Sequence, residues 1–475
     1  MHELPDLSQL TSEQKDELIR QLFPLVAQVR WLSARVAELE ARLSKGSHNS
    51  SKPPSSDGLA KKTQSLRQPS GRRAGGQAGH PGRTLERTTE PDEILHHRLP
   101  DRCACGASLS GDDARVAERR QVFDIPVQRY QVVEHRTLQL RCTCGREHVS
   151  DFPVGVTETV QYGPNVRALG VHLTQGQLLP YARAAELIAD LFQLEISPGT
   201  LVTWVDQAGA RLQPTVAAIA ADLRQAKVVG TDESGLRVSA KLHWLHTVVT
   251  PTHTWYGVHA KRGMEAIVAH AILTEYQGTA VHDCWKPYWR LDCVHALCNA
   301  HLLRELVFIR ETTGQLWPQR MTDVLLAAND TCQTARAANT DTLPGVTIDA
   351  LVTQYRAVLD EGQASHPEVS RQEGGRGKVK QSPAFNLLNR LRKHEEEVLR
   401  FVRDLTVPFT NNLAERAIRM PKVKQKISGS FRSFEGAENF AIIRSYLDTM
   451  RKQGHRMHDV LRSVFSGQIL QPASG

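Results

Sequence analysis

The sequence predicts a multidomain α/β protein, and two observations carry this prediction. At 475 residues the chain is longer than a single hydrophobic core usually organises. Its middle part contains short runs rich in Val, Trp, Tyr and Thr, bounded by Pro251 and Gly263, which are typical of β-strands. A helix is expected at 264–276, between strands at residues 226–231, 236–249, 253–259 and 278–282. This β-β-β-α-β order is typical of the ribonuclease-H-like fold.

Two acidic residues are expected where strands of this sheet end. Asp232 follows the first strand, just before a turn through Ser234 and Gly235, and Asp283 follows the fourth. An isolated Asp at a strand end is more often a turn or cap residue, but two on one sheet favour a shared site for divalent metal ions. Glu233 is the alternative to Asp232, and it should point to the opposite side of the strand because successive side chains alternate.

Composition and charge favour a nucleic-acid partner and argue against a membrane protein. The chain is 40% hydrophobic and 23% charged, and it carries a formal net charge of +8, which favours an anionic partner such as DNA. No run of about 18 apolar residues is long enough to span a bilayer, and the start does not resemble a signal peptide. Eight cysteines without a secretion signal predict reduced thiols or metal ligands in a cytoplasmic protein.

Residues 1–44 predict a leucine-zipper-like coiled coil. Pro24 interrupts the pattern, so we expect the helix to start there and to run to Leu43. Self-association into a homo-oligomer is the preferred interpretation, and packing of the helix on the chain's own body is the alternative. The apolar residues recur with the a/d spacing of a heptad: Leu18, Leu22, Leu25, Val29, Leu32, Val36, Leu39 and Leu43.

Residues 45–100 predict a basic linker. Between Lys45 and Arg83 there are eight Lys or Arg residues against one acid, Asp57, in a background of Ser, Pro and Gly. Such a segment has almost nothing apolar to bury, so it is expected to be disordered or extended. Its charges can bind DNA phosphates without sequence preference, or the segment can be a solvated tether.

Residues 101–155 predict a zinc-ribbon domain. Strand-like stretches at 122–127 and 131–140 lie between two CxCG knuckles. Four thiolates satisfy tetrahedral Zn²⁺ and close a small domain that lacks a core of its own, although a degenerate site without metal is the alternative. The four expected structural zinc ligands are Cys103, Cys105, Cys142 and Cys144.

Residues 160–225 predict a helix-turn-helix domain. An apolar-faced helix at 179–192 precedes Ser197 and Pro198, which supply an N-cap and a first-turn proline for a second helix. A second helix placed this way can enter a DNA major groove, with Thr200 and Thr203 as candidate contacts. An ordinary helical hairpin without DNA contact is the alternative.

The chain after Asp283 predicts a catalytic core divided by an insertion. The core is expected at 226–312 and 406–450, with an α-helical insertion at 313–405 that is broken near residues 373–378, and a C-terminal tail at 451–475. Glu415 is expected on a helix whose inner stripe is Leu413, Ala417 and Met420. The alternative to a catalytic role is an i,i+4 ion pair between Glu415 and Arg419 on a solvated face of that helix. A second candidate zinc cluster, or simply a set of buried side chains, comprises Cys293, His295, Cys298 and His301.

Several blocks together resemble transposases of the insertion-sequence-66 family. They are SSKPPSSDGL (51–60), RRAGGQAGHPGRTL (72–85), TDESG (231–235), HALCNAHLLREL (295–306) and NNLAERAIRMPKVKQKISGSFRSFEGAENFAIIRSYL (411–447). The resemblance implies a DDE transposase in which Asp232, Asp283 and Glu415 bind two Mg²⁺ ions, with Mn²⁺ able to substitute. Lys422 matches a Lys seven positions after the Glu in related enzymes, whereas Pro408 and Asn411 replace their upstream Tyr and Arg.

The resemblance also implies the partners of the protein. They are the DNA at the ends of the element and at the target, together with accessory proteins of the element, in a bacterial or archaeal cytoplasm that contains the nucleoid. A catalytically inactive zinc-ribbon and helix-turn-helix DNA-binding regulator is the alternative function. Five basic residues around Glu415 are the candidates to position phosphates: Arg416, Arg419, Lys422, Lys424 and Lys426.

Overall fold

The N-terminal helix is longer than the sequence predicts. The computed structural model describes residues 10–46, 48–50, 85–97, 99–109, 115–125, 129–369 and 379–474. Helix α1 (Ser12–Leu43) continues through Pro24, because a capping box at Thr11 and Gln14 starts it about three turns earlier than the expected start at Pro24. From Leu22 to Leu43 the side chains of the apolar stripe are exposed, for example 47% for Leu32, whereas Leu18 is half-buried. The stripe therefore does not pack on the described part of the chain.

The segment after α1 is partly anchored. Asn49 is buried, and its Nδ2 donates to Glu311 Oε2 at 2.7 Å, so the first linker residues contact the folded body rather than being extended throughout. Most of the predicted basic linker, residues 51–84, lies outside the described residues. In the predicted zinc-ribbon region, strands β1 (Gln139–Arg141) and β2 (Glu147–Val149) form an antiparallel hairpin. The described parts of 115–138 form no strand, unlike the prediction for 122–127.

A five-stranded mixed sheet forms the centre of the molecule. Its strands are β3 (Val228–Val238), β4 (Lys241–Val249), β5 (Thr254–His259), β6 (Thr279–His282) and β7 (Val294–Leu297), with α5 (Met264–His270) between β5 and β6. The spatial order is β5-β4-β3-β6-β7. Strands β3, β4 and β5 pair antiparallel, whereas β6 and β7 run parallel to β3. The predicted β-β-β-α-β order is therefore confirmed.

Strand β3 corrects the predicted position of Asp232. The strand continues to Val238 because β4 pairs with it along nine residue positions, so Asp232 lies in its middle and not at its end. The turn falls at Ser239 and Ala240, both with positive φ, which is the backbone of a tight two-residue hairpin, and not at Ser234 and Gly235.

The predicted helix-turn-helix region shares its core with the sheet. Helices α2 (Pro164–Val171), α3 (Tyr181–Phe192) and α4 (Pro198–Gln225) form, and Ser197 Oγ accepts from Thr200 N at 3.1 Å as the expected N-cap. The buried face of α4 belongs to the same hydrophobic cluster as Val229 and Ala280 of the sheet. These helices therefore pack on the strands and do not form a separate core.

Two C-terminal helices complete this layer. Helix α13 (Phe434–Lys452) covers the edge strand β5, where Ser445 Oγ accepts from Tyr256 N at 2.8 Å. This contact satisfies backbone groups that an open sheet edge would expose. Helix α14 (Met457–Phe465) buries Val460 and Leu461 completely in the same cluster. The expected C-terminal tail is thus wrong for residues 457–465, which are core.

The residues that follow β7 are largely helical, as predicted. They form α6 (Asn299–Thr313), α7 (Trp317–Ala337), α8 (Gly345–Ser365), α9 (Pro383–Lys393), α10 (Glu395–Val398) and α11 (Arg400–Arg403). A second hydrophobic cluster joins Trp317 and Leu388 to Val281 and Leu297 of the sheet. The predicted break at 373–378 lies outside the described residues.

Helix α12 (Asn412–Ser428) returns the chain to β3 with a different inner face from the predicted one. Ala414, Ile418 and Pro421 are buried, whereas Leu413 is exposed. The buried face is set by where the helix docks on the sheet, which a local apolar count does not show. Among the described residues, no helix is both long enough and apolar enough to cross a membrane.

Candidate active site

Asp232 and Asp283 occupy matching positions on neighbouring strands of the sheet. Strands β3 and β6 are in register at Gly230 and Val281. Asp232 lies two residues after Gly230, and Asp283 lies two residues after Val281, immediately beyond the end of β6. Side chains two positions apart share a face of the sheet, so both carboxylates stand on the same side. Strand β6 ends at His282, so no residue of β6 pairs with Asp232, and the residues that follow β6 can occupy the space beside it.

The negative charges of Asp283 and Glu415 both act on Asp232, although among the described residues the oxygens of the three acids do not all lie within 4.8 Å of one another. Burial, followed by the negative charges of Glu233, Asp283 and Glu415, raises the pKa of Asp232 to about 8, and one hydrogen bond from the Glu233 N–H at 2.9 Å opposes this shift. In the described part of the chain, no Lys or Arg side chain forms an ion pair with Asp232 or Asp283. The site therefore gathers negative charge that its own basic side chains do not neutralise.

Glu415 faces helix α6 and not Arg419. Its Oε2 lies 3.7 Å from Arg304 Nη2, and its Oε1 lies 3.8 Å from His301 Nδ1 and 3.9 Å from Cys298 Sγ. The side chain is 20% exposed. The i,i+4 pair on a solvated face is therefore not adopted, and Glu415 belongs to the interior side of α12.

Asn411 fixes where helix α12 meets the sheet. Its Nδ2 donates to the carbonyl oxygen of Thr231 at 2.7 Å, next to Asp232, and its backbone N–H donates to Cys298 Sγ at 3.1 Å. A Cβ at Gly230 would approach Asn411 Oδ1 to 2.4 Å, so the strand needs glycine at this point of close approach. These contacts tie the start of the helix that carries Glu415 to the strand that carries Asp232.

Glu233 lies on the other side of β3, as predicted from strand alternation. Its side chain is 2% exposed, and its Oε1 accepts from Arg262 Nη2 at 2.7 Å, while its Oε2 accepts from the Tyr288 hydroxyl at 2.5 Å. Arg262 also lies over the ring of Trp285, 4.4 Å from its centroid. Burial raises the pKa of Glu233, and the hydrogen bonds from Tyr288 and Arg262 oppose that shift. Glu233 is thus a paired structural acid.

Four of the five basic residues expected to position phosphates are exposed on α12, and Lys424 is not. Lys424 is 8% exposed, its ammonium lies 5.9 Å from the ring centroid of Tyr181, and burial lowers its pKa. It faces the helical layer because it continues the buried face of Ala414 and Ile418. The exposed residues are Arg416, Arg419, Lys422 and Lys426.

Thr200 and Thr203 lie in the first turns of α4. Thr203 is exposed, and its hydroxyl donates to the Gly199 carbonyl at 3.2 Å, while the Thr200 hydroxyl lies 3.0 Å from Ser197 Oγ. Both hydroxyls are engaged locally at an accessible helix start. Sequence readout by these two residues stays a prediction.

The two predicted zinc knuckles have the same backbone. The N–H groups of Cys103 and Cys142 each donate at 2.8 Å to the carbonyl four residues later, and Gly106 and Gly145 have φ of +90° and +89°. A hydrogen bond to the backbone of Ala107 lowers the pKa of Cys105, and a hydrogen bond to the backbone of Cys144 lowers the pKa of Cys142. Both effects favour the thiolates that metal binding requires.

The structure does not bring these two knuckles together. Among the described residues, the only group of three or more His, Cys, Asp or Glu side chains with ligand atoms within 4.8 Å of one another is Cys298, His301 and Glu415. The cysteines of both knuckles are exposed. A zinc site at the knuckles therefore stays a prediction.

The second candidate cluster divides into two parts. His295 Nδ1 lies 2.9 Å from His282 Nε2, away from the site, whereas Cys298 and His301 join Glu415. Sequence reasoning missed Arg304 as a partner of Glu415. The spacing of His301 and Arg304 on one helix was the available signal, since residues three apart share a helix face.

The donor set of Asp232, Asp283 and Glu415 fits hard divalent cations. Carboxylate oxygens are the ligands that Mg²⁺ and Mn²⁺ prefer. The mutual repulsion that raises the pKa of Asp232 is the kind that a bound cation removes. These three residues are the ones that would hold the metal ions.

Comparison with known proteins gives two family matches. Residues 2–86 match a family of unknown function, DUF6444, and residues 159–439 match the model described as "Transposase IS66 family". A search of curated proteins found no match. The second match covers more than half of the chain and includes Asp232, Asp283 and Glu415. The chain therefore belongs to the IS66 family of transposases.

Proposed function

We propose that this protein is a DNA transposase that cuts and joins strands at the ends of an insertion sequence through a metal-dependent carboxylate site. The observation that supports the proposal is that Asp232 and Asp283 follow the register pair of Gly230 and Val281 on neighbouring strands, while Asn411 ties the helix of Glu415 to the strand of Asp232. The mixed sheet, with three antiparallel strands followed by two parallel ones, supports a ribonuclease-H-like core. Family membership supports the transposase role.

The three acids would hold two Mg²⁺ ions, with Mn²⁺ able to substitute. When bound, such ions supply activation of the attacking oxygen and stabilisation of the leaving 3′ oxygen in an in-line displacement at phosphorus. The protein's contribution is positioning. Arg304 pairs with the Glu415 carboxylate at 3.7 Å, and Asn411 ties the start of its helix to the strand of Asp232.

DNA would lie over the exposed basic face of α12. Arg416, Arg419 and Lys422 stand on the helix that carries Glu415, so phosphates that they bind are held close to the cleavage site. The start of α4 is the proposed sequence reader, and the basic segment 45–83 adds salt-sensitive binding. A structural zinc at the two knuckles and self-association through α1 complete the proposed architecture, in a cytoplasmic protein that works with accessory proteins of the element.

Strand cleavage with the element's own ends tests the proposal. The variants Asp232→Asn, Asp283→Asn and Glu415→Gln should each abolish Mg²⁺-dependent nicking of end DNA and leave binding of that DNA nearly unchanged. Glu233→Gln is the matched control: it alters the adjacent acid on the opposite face, and it should have a much milder effect on cleavage.

Three outcomes would contradict the proposal. Normal nicking by the Asp232 or Glu415 variant would remove those residues from catalysis. Loss of DNA binding alone would make the acids structural. Specific binding of end DNA without nicking under Mg²⁺ or Mn²⁺ would instead identify the DNA-binding regulator.

A further inference from the structure

A sulfur, a nitrogen and an oxygen ligand atom converge beside the carboxylate site. Cys298 immediately precedes helix α6, His301 lies in its first turn, and Glu415 lies in the first turn of α12. Their ligand atoms are all within 4.8 Å of one another. Residues 298 and 415 are 117 positions apart, so docking of α12 against α6 assembles this set.

The histidine of this set is ready to bind a cation. His301 Nδ1 is buried and has no hydrogen-bond partner among the described residues, since its 3.8 Å separation from Glu415 Oε1 is too long for one. A buried polar atom without a partner is costly, and a ligand would satisfy it.

Space for an ion lies next to these residues. A cavity of about 190 Å³ is lined by Cys298 and His301, and it also borders Asp283. On its other side stands the ion pair between Glu305 and Arg390 of helix α9. A cation in this cavity can therefore reach Cys298 and His301, and Glu415 Oε1 lies 3.9 Å from the Cys298 sulfur and 3.8 Å from His301 Nδ1.

The donor chemistry selects the class of cation. Thiolate and imidazole are ligands of zinc-like ions, whereas Mg²⁺ binds almost entirely to oxygen. We propose that Cys298, His301 and Glu415 form a site for one zinc-class divalent cation, separate from the knuckle cysteines. On binding, the Cys298 sulfur exchanges its proton for a bond to the ion, and the proton passes to solvent.

Occupation of this site would regulate the reaction. This regulatory role rests on the proposed function, in which Glu415 is also needed beside Asp232 and Asp283. A zinc-class ion that engages Glu415 Oε1 from the α6 side competes with that use. The mixed site is therefore inhibitory, and Zn²⁺ should slow Mg²⁺-dependent cleavage.

Binding of Co²⁺ tests the site without any activity measurement. The full chain is used with the four knuckle cysteines replaced by serine, so that their thiolates do not contribute. This background should bind about one Co²⁺ with a thiolate-to-cobalt charge-transfer band. Cys298→Ser should remove the band, and His301→Gln should weaken Co²⁺ binding by about tenfold or more. Cys293→Ser is the control and should keep the band, because Cys293 is not in the converging set.

The result that overturns the site is a background protein with no thiolate band, or a band that Cys298→Ser leaves intact. If the melting curve shows that Cys298→Ser does not fold, Glu415→Gln is measured in its place. This variant keeps the thiol, and loss of the carboxylate ligand must change the cobalt spectrum. An unchanged spectrum refutes the site.

Zinc inhibition tests the regulatory step. The ratio of cleavage rates with and without Zn²⁺ at fixed Mg²⁺ is compared within each protein. Zn²⁺ should inhibit the background protein at lower concentrations than it inhibits His301→Gln, and equal sensitivity would refute the competition. A protein that cleaves no DNA at all would contradict the proposed function, while the cobalt band would still decide whether the site exists.

Discussion

Replacing Asp232 by Asn should stabilise the protein when divalent cations are absent. The pKa of Asp232 rises from an unfolded value of 3.8 to about 8 in the folded protein, because burial and neighbouring carboxylates disfavour its charge. The stabilising contribution of a raised carboxyl pKa is complete below 3.8 and is lost as pH rises towards 8. At pH 7 the loss is about 4 kcal/mol, at 1.36 kcal/mol per pH unit above 3.8. Asn has no charge to lose and can still accept the hydrogen bond from the Glu233 N–H.

The assay is thermal unfolding of the wild type and Asp232→Asn in EDTA, at pH 7 and pH 5. The variant should melt several degrees higher at pH 7, and its advantage should shrink to about 2 kcal/mol at pH 5. Adding Mn²⁺ should raise the melting temperature of the wild type and have much less effect on the variant, because a cation relieves the repulsion only where the carboxylates are present.

Two results would refute this reasoning. A variant that is less stable than the wild type in EDTA would mean that the acids do not repel one another. A wild type that gains nothing from Mn²⁺ would mean that the converging carboxylates do not bind cations.

Four further measurements test other parts of the molecule. The full chain should hold about one zinc more than a variant with the four knuckle cysteines replaced by serine, and equal zinc content would exclude a knuckle site. Lysine at Leu32 and Leu39 should lower the oligomeric mass in light scattering, because both side chains belong to the exposed stripe of α1; an unchanged mass would exclude the zipper. Substitutions at Thr200 and Thr203 should change the preference among DNA sequences, whereas equal weakening on every DNA would show that α4 is not a reader. Burial lowers the pKa of His270 to about 3, so the stability that its neutral form contributes is present above pH 6.5 and is lost as pH falls. His270→Phe should reduce the loss of unfolding free energy between pH 7.5 and pH 5 by on the order of 2 kcal/mol. An unchanged pH dependence would contradict this.

Local patterns in the sequence were sufficient for the elements of the fold. β-rich runs predicted the β-β-β-α-β order of elements along the chain, and Ser197 with Pro198 predicted the start of α4, because capping depends on residues within one turn. The same locality explains why Asp232 and Glu233 were correctly assigned to opposite faces. The family resemblance added Glu415, which local statistics alone would have left on a solvated surface.

Only the tertiary structure decided what surrounds these residues. Asn411 donates a hydrogen bond to the Thr231 carbonyl across 180 positions of the chain, and this contact ties the helix of Glu415 to the strand of Asp232. The same docking buries Lys424, and the pairing of β4 moves Asp232 from the end of a strand into its middle. Each of these features depends on a surface contributed by a distant segment. The sequence determined which groups are available for the chemistry, and the packing of α12 between the sheet and α6 determined which of them meet.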